Sequence, residues 1–105
     1  MTTKLQLELP TDRIAEFCGH NRIRELAVFG SVLRNDFDAD SDVDALVTFA
    51  PDARYSVFDL VRMQTELSEI FGRQVDLVDR RAIEQSDNYI RRRQILDSTE
   101  VVYGS

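Results

Sequence analysis

Cysteine and histidine each occur only once in this chain, at Cys18 and His20. A lone cysteine cannot close an intrachain disulfide, and its use suits a reducing cytosol. A lone histidine gives little support to a histidine-rich metal site or to an internal Ser-His-Asp triad. Long apolar runs are missing as well: no 18 consecutive residues are apolar, and the N-terminus lacks a signal-peptide pattern. The expected protein is therefore cytoplasmic and makes no membrane contact. Positive charge is also in short supply. With 13 Lys and Arg against 19 Asp and Glu, the net charge of −6 argues against a protein that grips duplex nucleic acid through a broad basic surface. The local basic clusters are Arg22 with Arg24, Arg80 with Arg81, and Arg91-Arg92-Arg93. They read as solvated faces, the last with contact to an acidic partner, a nucleotide or RNA as its alternative. Repeats and low-complexity tracts are absent. A chain of 105 residues predicts one domain over 1–105, with 1–10 as an extended arm. So short a domain has little room for a separate acceptor site, which something else must complete.

What the chain does have is concentrated between residues 28 and 47. A Gly30-Ser31 turn is followed, after ten intervening residues, by Asp42-Val43-Asp44 and then the apolar Leu46 and Val47. Val43, Leu46 and Val47 mark a strand over 42–49, on which side chains at i and i+2 share a face, so Asp42 and Asp44 are expected side by side. At ~5 Å and an effective dielectric of ~20, two such carboxylates repel by about 3 kcal/mol, a cost that a cation or a proton has to offset. Mg²⁺ is the natural occupant, because it takes oxygen ligands and fills its remaining positions with water and substrate phosphates. The Gly-Ser pair supplies the other half of a triphosphate site. Leu26 to Phe29 read as a short buried strand, after which Gly30 lets the backbone turn close to a ligand. Ser31 then opens a helical turn reaching to about Arg34, where free N–H groups and the helix dipole favour phosphate. Arg34 could reach the phosphate region or pair with a loop aspartate.

Asp36, Asp38, Asp40, Asp42 and Asp44 also alternate in the manner of a calcium loop. Such a loop needs Gly at its sixth position and Glu at its twelfth. Counting from Asp36 gives Ser41 and Val47, and counting from Asp38 gives Val43 and Phe49, so the calcium reading fails.

Elsewhere the pattern is that of an α/β domain. Leu5, Leu7 and Leu9 alternate up to Pro10, and Thr11 or Asp12 can cap a helix to about Asn21 with Ile14, Phe17 and Cys18 on its buried stripe. Ser56 and Asp59 resemble a capping box. Val57, Leu60, Val61, Gln64, Leu67, Ile70 and Phe71 then recur at helical spacing until Gly72. Gln74 to Asp79 follow as a strand, in which Asp76 is a charge within sequence that otherwise wants burial. A last helix from about Ser86 to Leu96 and a strand over 100–103 complete the expectation: a small mixed β-sheet with helices packed on one side.

The stretch Gly30-Ser31-(x)10-Asp42-x-Asp44, preceded by Val28-Phe29 and followed by Leu46-Val47, resembles the signature of the DNA polymerase β-type nucleotidyltransferase superfamily. The short chain is similar to its minimal branch, the MNT-type antitoxins that pair with HEPN-domain toxins. The resemblance covers about residues 12–103. It implies a third carboxylate on a neighbouring strand, for which Asp76 matches better than Asp79. It also implies a metal set of Asp42, Asp44 and Asp76 holding two Mg²⁺ ions, with Gly30, Ser31 and Arg34 binding the nucleotide. The implied reaction transfers AMP from ATP to a tyrosine hydroxyl of a cognate HEPN toxin, in a hetero-oligomer, and so silences a toxin that cleaves RNA. Two alternatives stay open: an antitoxin that masks its toxin without catalysis, and an adenylyltransferase for a small molecule or an RNA end.

Overall fold

A computed structural model of the chain describes residues 9–30, 42–85, 87–88, 90, 93 and 99–104. Among these the elements run α1 (Thr11–His20), β1 (Ile23–Phe29), β2 (Val43–Phe49), α2 (Val57–Phe71), β3 (Val75–Asp79), α3 (Arg80–Glu84) and β4 (Thr99–Gly104). The strands form one mixed sheet in the order β3-β2-β1-β4. β1 pairs antiparallel with both β2 and β4, whereas β2 and β3 are parallel. A parallel pair cannot be joined by a tight turn, and α2 supplies the crossover that the geometry demands. This is the small mixed sheet that the sequence pattern predicts.

The strand period of two sorts the sheet into faces. Val43, Ala45, Val47 and Phe49 of β2 join Leu26 and Val28 of β1 and Val75 of β3 in the core. Onto that face α1 brings Ile14, Phe17 and Cys18, and α2 brings Met63, Leu67 and Ile70. Burial pushes the Cys18 thiol up to about 12, so it is a core residue and not a reactive one. The opposite face of β2 carries Asp44, Leu46 and Thr48. The two helices therefore pack on the face opposite the one on which Asp44 and Asp76 stand.

α2 is bounded as its sequence predicts. Ser56 Oγ accepts from the Asp59 N–H, the Asp59 carboxylate accepts from the Ser56 N–H, and Gly72 closes the helix with φ of 72°. The buried stripe differs from expectation. Val57 and Val61 are exposed, and Met63 takes a core position instead. Leu60, Met63, Leu67 and Ile70 share the helix face that meets the core, and Val57 and Val61 stand to the side of it. α1 also differs at its start: Pro10, not Thr11 or Asp12, occupies the cap position, and no side chain caps the helix. Asp12 lies instead in the first turn, where a carboxylate complements the helix dipole. Residues 1–8 of the arm expected over 1–10, the helical turn expected over 31–34 and most of the helix expected over 86–96 lie outside the described residues.

Candidate active site

The site is built by strand register. In the parallel pairing of β2 with β3, Asp44 lies directly opposite Asp76. Residues level with each other on adjacent strands point to the same side, and the strands are about 4.8 Å apart. Asp44 is half-buried and Asp76 is exposed, so the pair opens to solvent at the sheet surface. On the other side of β2, Asp44 faces Phe29, the last residue of β1. The chain then turns at Gly30, whose φ is +79°. A Cβ placed on Gly30 would stand 2.5 Å from Asp44 Oδ2. Only glycine leaves room for that carboxylate.

Asp42 stands one residue ahead of β2, which begins at Val43, and it is exposed. The alternation of a strand consequently fixes Asp44 and Asp76 relative to each other, but it does not reach Asp42. Among the described residues no three His, Cys, Asp or Glu side chains close into a group that could hold a metal by themselves. What is present is an open carboxylate pair beneath a glycine turn. Its donor set of hard oxygens suits Mg²⁺, which is commonly held by one or two carboxylates and completed by water and phosphate. Ser31 and Arg34, expected at the phosphates, lie outside the described residues.

Asp79, the weaker candidate for the third carboxylate, is used elsewhere. It falls on the other face of β3 from Asp76. Its carboxylate accepts from Tyr55 Oη at 2.6 Å and, as the cap of α3, from the Arg81 N–H at 3.0 Å. Tyr55 in turn stacks on Phe49 with ring centroids 3.9 Å apart, and burial followed by the Asp79 hydrogen bond raises its phenol pKa. The basic pairs take structural roles too. Arg22 pairs with Asp52, and Arg80 reaches Glu25 at 3.5 Å and Glu84 at 3.3 Å. Arg91 and Arg92 lie outside the described residues, and Arg93 is exposed.

Sequence reasoning missed the short helix α3, although Asp79 ahead of Arg80 and Glu84, an i,i+4 ion pair, is a capped helix start. Gln64, placed by helical spacing alongside Leu60 and Leu67, does face the sheet, where its side chain accepts a hydrogen bond from the Leu77 N–H of β3.

Residues 11–102 match the nucleotidyltransferase domain family. The chain belongs to that family. This nucleotidyltransferase domain is 39% identical over 56 residues to the protein adenylyltransferase MntA of Thermococcus cleftensis, covering 53% of this chain and 54% of that protein. Across the curated relatives that it matches, the domain spans between about half and three fifths of their length. Among solved structures it is similar to a toxin–antitoxin complex with AMP-PNP, with a TM-score of 0.69, 19% identity, and coverage of 92% of this chain and 75% of that one. It is also similar to a Shewanella oneidensis complex of a tri-AMPylated HEPN toxin with its MNT antitoxin, with a TM-score of 0.61, 18% identity, and coverage of 90% and 70%. At those identities the structural likeness establishes the fold. No helix among the described residues is long and apolar enough to cross a membrane.

Proposed function

We propose that this chain is a minimal adenylyltransferase antitoxin, which transfers AMP from ATP to a tyrosine hydroxyl of a cognate HEPN toxin and thereby silences it. The observation that carries this reading is Asp44 level with Asp76 beside the Gly30 turn. A protein that only masked a partner would have no need to hold two like charges side by side on adjacent strands. The kinship with MntA and the likeness to complexes of AMPylated toxin and antitoxin support the choice of donor and acceptor.

The reaction is in-line attack of the acceptor oxygen on the α-phosphorus of ATP. The new O–P bond forms as the bond to the pyrophosphate oxygen breaks, and the hydroxyl proton leaves with a base. When bound, two Mg²⁺ ions supply charge neutralisation at the attacking and leaving oxygens. Asp42 and Asp44 would hold the ion on the triphosphate, and Asp76 would share the second and help the hydroxyl lose its proton. Gly30, Ser31 and Arg34 would bind the phosphates. Positioning and charge neutralisation then carry most of the catalysis. The acceptor arrives on the partner.

The two candidates for the third carboxylate separate cleanly by mutation. Asp76→Ala should lower AMP transfer by about 10²-fold or more, the scale of losing one preorganised electrostatic stabiliser, with ATP binding largely kept. Asp79→Ala should leave transfer within a few-fold and instead lower stability by about 1 kcal/mol, the usual effect of a lost helix cap. Transfer assays run beside a nucleotide titration and a denaturant melt read both. An active Asp76→Ala protein would show that the third carboxylate is misassigned.

A further inference from the structure

β3 lies at the edge of the sheet and pairs only with β2 among the described residues. In a strand of this kind alternate N–H groups point outward, where an edge is normally unpaired. Here two consecutive outward N–H groups are taken up by side chains of α2. The Val75 N–H donates to Ser68 Oγ at 3.0 Å, and the Leu77 N–H donates to Gln64 Oε1 at 2.9 Å. Ser68 Oγ itself donates to the Gln64 carbonyl at 2.8 Å, so the hydroxyl is satisfied in both directions. Gln64 and Ser68 are four residues apart and therefore lie one above the other on the same face of α2. Val75 and Leu77 are the two residues that flank Asp76.

We infer that Gln64 and Ser68 are positioning residues for Asp76: they clamp the outer edge of β3 on both sides of that carboxylate and so keep it level with Asp44. The inference rests on the reading of Asp76 as a member of the active site. Its physical basis is the asymmetry of an edge strand. Asp44 stands on β2, which is held by ladders on both sides, from β1 and from β3. Asp76 has a ladder on one side only, and the two side chains of α2 replace the missing one. Without them β3 would be free to fray or tilt, and the spacing of the two carboxylates would lose its definition. A second consequence is that these N–H groups cannot template another strand, so this edge is closed to strand addition.

The test compares Gln64→Leu, Ser68→Ala, their combination, and Ser68→Thr, which keeps a hydroxyl able to accept and donate. Misplacement of a reacting group by about 1 Å can cost up to ~10²-fold, so kcat for AMP transfer should fall at least about tenfold in the double variant, with KM for ATP within about twofold. Ser68→Thr should retain the parent kcat. A purely structural role would lower the melting point without this split between kcat and KM and without rescue by threonine. In the parent protein, amide hydrogen exchange at Val75 and Leu77 should be as slow as at Asp76 and Val78. Fast exchange there, or a double variant with full kcat beside an inactive Asp76→Ala, overturns the inference. Full transfer by Asp76→Ala would overturn the site reading on which it rests.

Discussion

Gly30 does two things with one missing atom. Its φ of +79° is a conformation that other residues adopt at a cost of about 1 kcal/mol, and its Cβ position is already filled by the Asp44 carboxylate. Gly30→Ala should therefore lower stability by at least about 1 kcal/mol. It should also displace Asp44 and reduce AMP transfer even where the protein is fully folded. Gly19 provides the contrast: it lies near the end of α1, nothing stands within 4 Å of its Cβ position, and no positive φ is required. Gly19→Ala should raise stability by up to about 1 kcal/mol and leave transfer unchanged. Paired denaturant melts and transfer assays check both, and equal effects of the two substitutions would show that Gly30 has no special role.

At the scale of elements, α2 shows how local chemistry sets boundaries. The Asp59 carboxylate is held below the usual carboxylate range, first by the Ser56 N–H and also by the Ser56 hydroxyl and Arg62. A depressed folded pKa means that Asp59 contributes stability above its unfolded value, near pH 4, and loses that contribution as the pH falls through the folded value. The stability difference between the parent and Asp59→Ala should accordingly be constant near neutrality and close below about pH 4. A gap that persists in strong acid would show that the cap does not depend on the charge. Both ends of this helix were legible because Ser56, Asp59 and Gly72 act through neighbouring backbone groups. Its buried face was less so, since Val57 and Val61 fit a helical period as well as Leu60 and Met63 do, and only the packing against the sheet decides which side of the helix is covered. The same limit applies at the site. Alternation along β3 was enough to separate Asp76 from Asp79, but the pairing of Asp76 with Asp44 is a register between distant segments. The start of β2 at Val43, which leaves Asp42 beyond the strand, is set by the partner strands as well. The place of Gln64 on the sheet-facing side followed from spacing, but its role did not, because it lies in a hydrogen bond across 13 residues that no spacing rule exposes.

For the molecule as a whole, the division of labour follows from the sheet. One face is committed to α1 and α2 and to the core, and the other presents carboxylates beside a glycine turn. On the proposed reading, phosphate and metal bind on that second face and the acceptor comes from a partner. This separates an enzyme from a mask. A catalytic antitoxin needs ATP and Mg²⁺, turns over, and leaves its toxin inactive after the two proteins are parted. A mask acts at one to one without nucleotide. The most direct measurement incubates the purified HEPN partner in large molar excess with this protein, Mg²⁺ and labelled ATP, beside Asp42→Asn/Asp44→Asn. Label should accumulate on the toxin beyond one equivalent of the parent protein, and the toxin should stay silent after separation. The double variant, whose exposed and half-buried positions allow the fold to persist, should transfer no label. Silencing only at one to one and without ATP, or undiminished labelling by the double variant, would contradict the account.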